Sequence, residues 1–205
     1  MGSGRSHRRV VRLLEGIGVR LWGFPPRLME HVVTLLGPAQ ALWWFVRNMP
    51  RYERTLSVLG PVRTHLVAMT VSLLNGCRYC AYGHAYALEL VHYRATGVLF
   101  PVDARTLAGW TGLPAAELRS RLRSVLQEAD LHVDVLWMDK ALDIADGARP
   151  MDRDELRIEH LVRMFRLLNT AGIAGDVEPD EAHDPINKDV ELKRRMARER
   201  DPRAS

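Results

Sequence analysis

Cysteine is nearly absent from this chain: its 205 residues hold two, at positions 77 and 80. A secreted disulfide framework uses four or more in a shorter chain, and 47% hydrophobic with 26% charged residues is enough to build a core without staples. What is left is a dithiol, which in a reducing compartment serves as a metal-ligand pair or a catalytic couple. A cytoplasmic location is expected on that ground. Long apolar runs are missing too: the longest, residues 66–74, spans nine positions and contains Thr70 and Ser72. Crossing a bilayer takes ~20 apolar residues, so this run reads as a buried helix and no membrane partner is expected. Glu15 and Arg20 interrupt what would have to be the apolar centre of a signal peptide. Internal repeats, low-complexity tracts and apolar alternation of strand period are likewise lacking.

Charge of one sign is concentrated only at the ends. The formal net charge of +4 comes largely from Arg5, Arg8, Arg9 and Arg12 and from the basic residues between Lys193 and Arg203. The second group is interleaved with Asp189, Glu191, Glu199 and Asp201, and no nucleic-acid-reading motif accompanies either. Both read as solvated faces, and no nucleic-acid partner is expected.

Apolar residues recur at helical spacing. Leu118, Leu122, Val125, Leu126 and Ala129 form one stripe opposite Arg119, Arg121 and Arg123, entered through Pro114. From 152 to 169, Asp152 and Glu155 make a capping start, and Leu156, Leu161, Val162, Phe165 and Leu168 give the apolar face. The same reading predicts helices over 8–22, 27–36, 38–48, 52–59, 62–74, 103–110 and 133–145, with breaks at Gly, Pro and Asp. About nine helices and no strand make the fold class all-α. Beyond Asp176 the acidic residues, Pro179 and Pro185 show no apolar period, which predicts an extended or partly disordered arm. Trp43, Trp44 and Phe45 stand in succession and cannot all face one core, so self-association is expected.

The chemistry gathers in residues 75–84, NGCRYCAYGH. Asn75-Gly76 is a helix stop, because glycine adopts the left-handed conformation that closes a helix. The next helix then begins near Cys77, placing both cysteines in its first turn, where unpaired N–H groups favour a thiolate and lower its pKa from the free value of ~8.5. A spacing of three suits a reversible disulfide. His84, four residues past Cys80, shares that face and can take or return a proton. Tyr79 and Tyr82 flank the site as apolar cover. Two other readings stand beside this one. C-x2-C-x3-H offers three zinc ligands, although a structural site takes four from two segments and neither His65 nor His92 belongs to a second pair. The cysteines also fit as inert core residues. A haem-attachment signature would need His where Ala81 stands.

These ten residues, preceded by the apolar stretch LVAMTVSLL, resemble the core motif of the AhpD-like alkylhydroperoxidase family, within the carboxymuconolactone decarboxylase superfamily. The likeness extends more weakly over residues 38–172. It implies an all-α, AhpD-like helical bundle with the Cys pair at the N-terminus of a core helix. Residues 1–37 are then an N-terminal helical extension, 38–175 the core domain and 176–205 a charged C-terminal arm or tail. The resemblance makes Cys80 the peroxide-attacking thiolate, Cys77 the resolving cysteine and His84 the proton relay, with no cofactor and no metal. The substrate would be a small alkyl hydroperoxide or a disulfide. A reducing partner protein or dithiol would regenerate the thiols, and the protein would form homo-oligomers. One position departs: the family has a glutamate twelve residues before the first cysteine, and here that residue is His65. His65 is either an adapted relay member or a satisfied histidine of the buried helix. The alternative function for the same dithiol is a non-catalytic, redox-responsive switch or oligomeric assembly protein.

Overall fold

The computed structural model describes residues 3–201, so the outermost residues of both expected terminal segments, 1–2 and 202–205, lie outside the described region. Among the described residues every regular element is helical: α1 (Ser3–Trp22), α2 (Leu28–Leu36), α3 (Pro38–Leu59), α4 (Pro61–Leu74), α5 (Arg78–Thr96), α6 (Ala104–Ala108), α7 (Ala115–Glu128), α8 (Val135–Ala145), α9 (Arg153–Ala174) and α10 (Val190–Arg200), with a 3-10 turn over Pro185–Lys188. No helix among the described residues is long and apolar enough to cross a membrane.

The centre is the α4–α5 hairpin. Thr64 to Leu73 of α4 are buried without exception, which is why that stretch is apolar all round rather than striped. On one flank, Val32 and Val33 of α2 and Ile158, Leu161 and Phe165 of α9 pack against Val67, Val71, Tyr79 and both cysteines. On the other, Leu66, Met69, Ala81, Ala85 and Leu88 meet Leu107, Leu118, Leu122 and Met138. The hairpin therefore lies between two cores and buries the dithiol in the first of them.

Two elements differ from expectation. A break at Pro50 separates the predicted helices 38–48 and 52–59, yet α3 runs through it. Proline removes one helical hydrogen bond, to the carbonyl of Val46, and the buried residues on either side, Ala41, Tyr52, Thr55 and Leu59, hold the helix together across the gap. The C-terminal arm is also not a solvated extension. Ala182, Ile186, Leu192 and Met196 are buried against Ala87, Leu90 and Val91 of α5.

Arg200 of α10 fastens the arm's far end, with Nη2 donating to Glu89 Oε2 and to the Phe100 carbonyl, both at 3.1 Å. Glu89 is 2% exposed and its Oε1 has no hydrogen-bond partner among the described residues. Burial lifts its carboxyl to about 7, against the pull of Arg200 and of the Ala104 N–H. A carboxyl whose folded pKa stands above its unfolded value contributes stability that is complete below the unfolded value and is lost as pH rises through the folded one. Glu89→Gln is accordingly expected to flatten the decline in stability between about pH 4.5 and 7, where the wild type loses on the order of 1 kcal/mol per pH unit from this group. Chemical denaturation across that range checks it; identical slopes in the two proteins would show Glu89 to be ionised throughout.

Candidate thiol site

The turn between α4 and α5 places the cysteines. Gly76 has φ +83°, the Cys77 N–H donates to the Ser72 carbonyl at 2.9 Å, and the Gly76 N–H donates to that of Leu73 at 3.1 Å. These paired bonds are the Schellman closure of α4. Cys77 is thus the residue that ends one helix and, as N-cap, begins the next, its own carbonyl accepting from Ala81 N at 3.0 Å. Cys80 follows one turn later, on the same face as His84. Both thiols are free and both residues are 1% exposed. Helix α9 passes so close that a Cβ at Gly172 would stand 2.8 Å from Cys77 Sγ.

The two thiols are not equivalent. Interaction with the Cys80 thiol, opposed by burial and aided by the N–H groups of Cys80 and Tyr79, lowers the Cys77 pKa below the ordinary thiol value. The same contact, with burial and then the charges of Cys77 and Asp180, raises Cys80 well above it. The thiol–thiol contact comes first in the difference, and the N–H groups at the start of α5 act in the same direction on Cys77. Cys77 is thus the more acidic thiol of the pair. Cys80 becomes a nucleophile only when a base removes its proton.

A base is in place. His84 Nδ1 lies 3.0 Å from His65 Nδ1, and His65 Nε2 lies 2.8 Å from Asp184 Oδ2, all of it buried. Burial opposes ionisation of Asp184, but the hydrogen bond and charge of His65 and the N–H of Ile186 outweigh it and hold the carboxyl below its ordinary value. An ionised carboxylate only accepts, so His65 carries its proton on Nε2. In the neutral His65 ring Nδ1 is then an acceptor, which puts the proton between the rings on His84 Nδ1 and leaves the His84 Nε2 lone pair free. Burial, then His183 and His65, depress the His84 pKa well below the ordinary histidine value, so the ring is neutral at pH 7. The carboxylate absent at position 65 is supplied from the arm, 119 residues away in the chain.

The arm also roofs the site. Tyr79 Oη donates to Asp180 Oδ2 at 2.9 Å, so Tyr79 does more than cover the thiols. His183 sits 3.4 Å from Asp180 Oδ1, its N–H donates to the Gly83 carbonyl at 3.0 Å, and its ring lies against Trp22, Phe24 and Tyr79. Beneath it is a cavity of about 40 Å³ lined by Cys80, His84, Tyr52, Tyr79 and His183 and by apolar side chains including Met29, Phe45, Met164 and Phe165. Cys77 does not line it. Its hollow, of about 110 Å³, lies on another side, beside Gly172, Ile173 and Val177.

Cys77, Cys80, His84 and His65, the residues singled out from the sequence, come together here; Asp184, His183, Asp180 and Tyr52 were missed. A signal for the arm existed in Asp184-Pro185, an N-cap followed by proline in the first turn, with Ala182 and Ile186 four apart. Among the described residues no group of three or more His, Cys, Asp or Glu side chains is arranged to hold a metal ion. Cys77, Cys80 and His84 do not gather as zinc ligands. No family model, curated protein or solved structure matches the chain.

Proposed function

We propose that the chain is a cofactor-free thiol peroxidase or disulfide oxidoreductase of AhpD-like type, working through Cys80, Cys77, His84 and His65. The observation that carries this reading is the buried chain from Asp184 through His65 to His84, whose last member lines the same cavity as Cys80. A merely structural histidine does not need a second histidine and a carboxylate aligned behind it. His84 Nε2 takes the Cys80 proton, and the charge passes through Nδ1 to His65, where Asp184 stabilises it. This relieves the repulsion that two neighbouring imidazoles would otherwise place on a shared proton.

The Cys80 thiolate then attacks the outer oxygen of a hydroperoxide. An S–O bond forms, the O–O bond breaks, sulfur loses two electrons and the departing alkoxide takes the relayed proton as an alcohol. The Cys77 thiol attacks the sulfenic sulfur, its proton leaving with the hydroxyl as water, and forms the Cys77–Cys80 disulfide. A dithiol reductant, free or on a partner protein, approaches Cys77 from its own hollow, and His84 returns a proton to Cys80 as it leaves. Steady peroxide consumption with a supplied dithiol, abolished in Cys80→Ser, is the expected result.

The seal over Cys80 favours a second reading, in which the dithiol is a redox-responsive switch that opens the arm. One stoichiometric oxidation without turnover would select it over the enzyme. Self-association belongs to either reading. Trp44 and Phe45 turn toward the core, whereas Trp43 and Val46 on α3 are 60% and 68% exposed. Sedimentation at micromolar concentration is expected to show an oligomer, and Trp43→Glu to weaken it; a wild-type monomer would refute this.

A further inference from the structure

We infer that Tyr52 is the hydrogen-bond donor to the substrate's departing oxygen, which makes the cavity beside Cys80 a hydroperoxide site rather than a disulfide site. The inference rests on the thiol-peroxidase reading and adds to it a residue and a choice between its two substrate classes. Tyr52, on α3, is 2% exposed, and its Oη has no hydrogen-bond partner among the described residues. Folding seldom leaves a buried hydroxyl in that condition, because the lost hydration is uncompensated. The other tyrosine at the cavity, Tyr79, is satisfied by Asp180. Burial first, then the negative charges of Asp184 and Glu53, raise the Tyr52 pKa, so the phenol stays protonated and can only serve a substrate as a neutral donor.

Cleavage of an O–O bond concentrates negative charge on the departing oxygen, and a preplaced donor in a dry site is most effective there. A departing sulfur is a weak acceptor and gains little from it. Size points the same way. A water occupies about 10–15 Å³ on the scale by which this cavity measures about 40 Å³, so the space fits a peroxide group with a small substituent. Tyr52 keeps its proton throughout: the one released by Cys80 travels by way of His84 to the alkoxide.

The test is Tyr52→Phe, which removes one oxygen and keeps the ring. Oxidation of Cys80 by ethyl hydroperoxide is followed by stopped-flow fluorescence and mass mapping, and labelling of Cys80 by thiol–disulfide exchange with dimethyl disulfide, which releases methanethiolate, serves as the sulfur-leaving control. The expected result is a peroxide rate lower by about 10²-fold, an unchanged labelling rate, and a higher melting temperature because the orphaned hydroxyl is gone. A structural tyrosine would show the reverse, a lower melting temperature with both rates intact. An unchanged peroxide rate, or an equal fall in both rates, overturns the role of Tyr52 alone. If wild-type Cys80 is labelled but never oxidised by the peroxide, the peroxidase reading falls and the inference falls with it.

Discussion

Asp184→Asn is expected to slow peroxide oxidation of Cys80 by about 10²-fold at pH 7 with little change in stability. The size follows from general acid–base catalysis, which contributes about 10²–10⁴. The asparagine oxygen can keep the 2.7 Å bond from Ile186 N that caps the 3-10 turn, which turns its NH2 group toward His65 Nε2. His65 Nε2 must then accept, and its proton moves to Nδ1. That proton is donated to His84 Nδ1, which leaves the His84 proton on Nε2. The lone pair that should receive the Cys80 proton is gone. A Ser-His-Asp triad fails for the same reason when its aspartate becomes asparagine. If the amide instead turns its oxygen to His65, the tautomers survive but the imidazolium loses its counter-charge. Both outcomes slow the reaction, so a wild-type rate in the variant would remove Asp184 from the mechanism.

The pH dependence of the wild type follows from His84. Its folded pKa is depressed, so the stability it contributes is present above the unfolded value of ~6.5 and is lost as pH falls through the folded value. Protonation also occupies the base, so the oxidation rate should hold while stability first declines and fall only as pH drops through the folded value, where the decline in stability levels off. A rate that stays flat through that levelling point would separate His84 from the chemistry.

The face shared by Cys77, Cys80 and His84 was legible in the sequence because everything that places it is local. Asn75-Gly76 closes α4, Cys77 caps α5, and helical spacing does the rest. His65 was legible as a residue but not as a relay member, since its meaning depends on a carboxylate that only tertiary folding brings to it. Asp184 lies in a stretch whose acidic composition resembles a solvated tail. Its four buried apolar residues, Ala182, Ile186, Leu192 and Met196, are too few to set a period across the turn that divides them. The inequality of the thiols was hidden for another reason. Both sit in the first turn, and only the neighbours of each sulfur decide which is the more acidic. At Pro50 a local rule was overridden by packing, as happens where a helix is buried on both sides of its break.

Gly83→Ala is expected to unseat the arm, lowering stability by about 1–3 kcal/mol and reducing Cys80 oxidation as far as Asp184→Asn does. A Cβ at position 83 would stand 2.4 Å from Cε1 and Nδ1 of His183 and 2.5 Å from its Cγ. One of the two must move. Helix α5 is enclosed by cores on both flanks, so the displacement falls on the arm. His183 adjoins Asp184, and its shift draws the carboxylate away from His65 while breaking the bond from His183 N to the Gly83 carbonyl. Alanine's better helix propensity, worth up to about 1 kcal/mol, works against the loss and does not cancel it. The cause is isolated by the double variant Gly83→Ala, His183→Ala. Removing the ring makes room for the new methyl group, so the pair should recover Asp184 contact and most of the oxidation rate, a coupling that unrelated defects would not show. Hydrogen exchange over residues 180–200 should rise in the single variant and fall back in the double one. If Gly83→Ala matches the wild type in melting temperature, exchange and rate, the arm is not seated on α5, and Asp184 has no route to the relay.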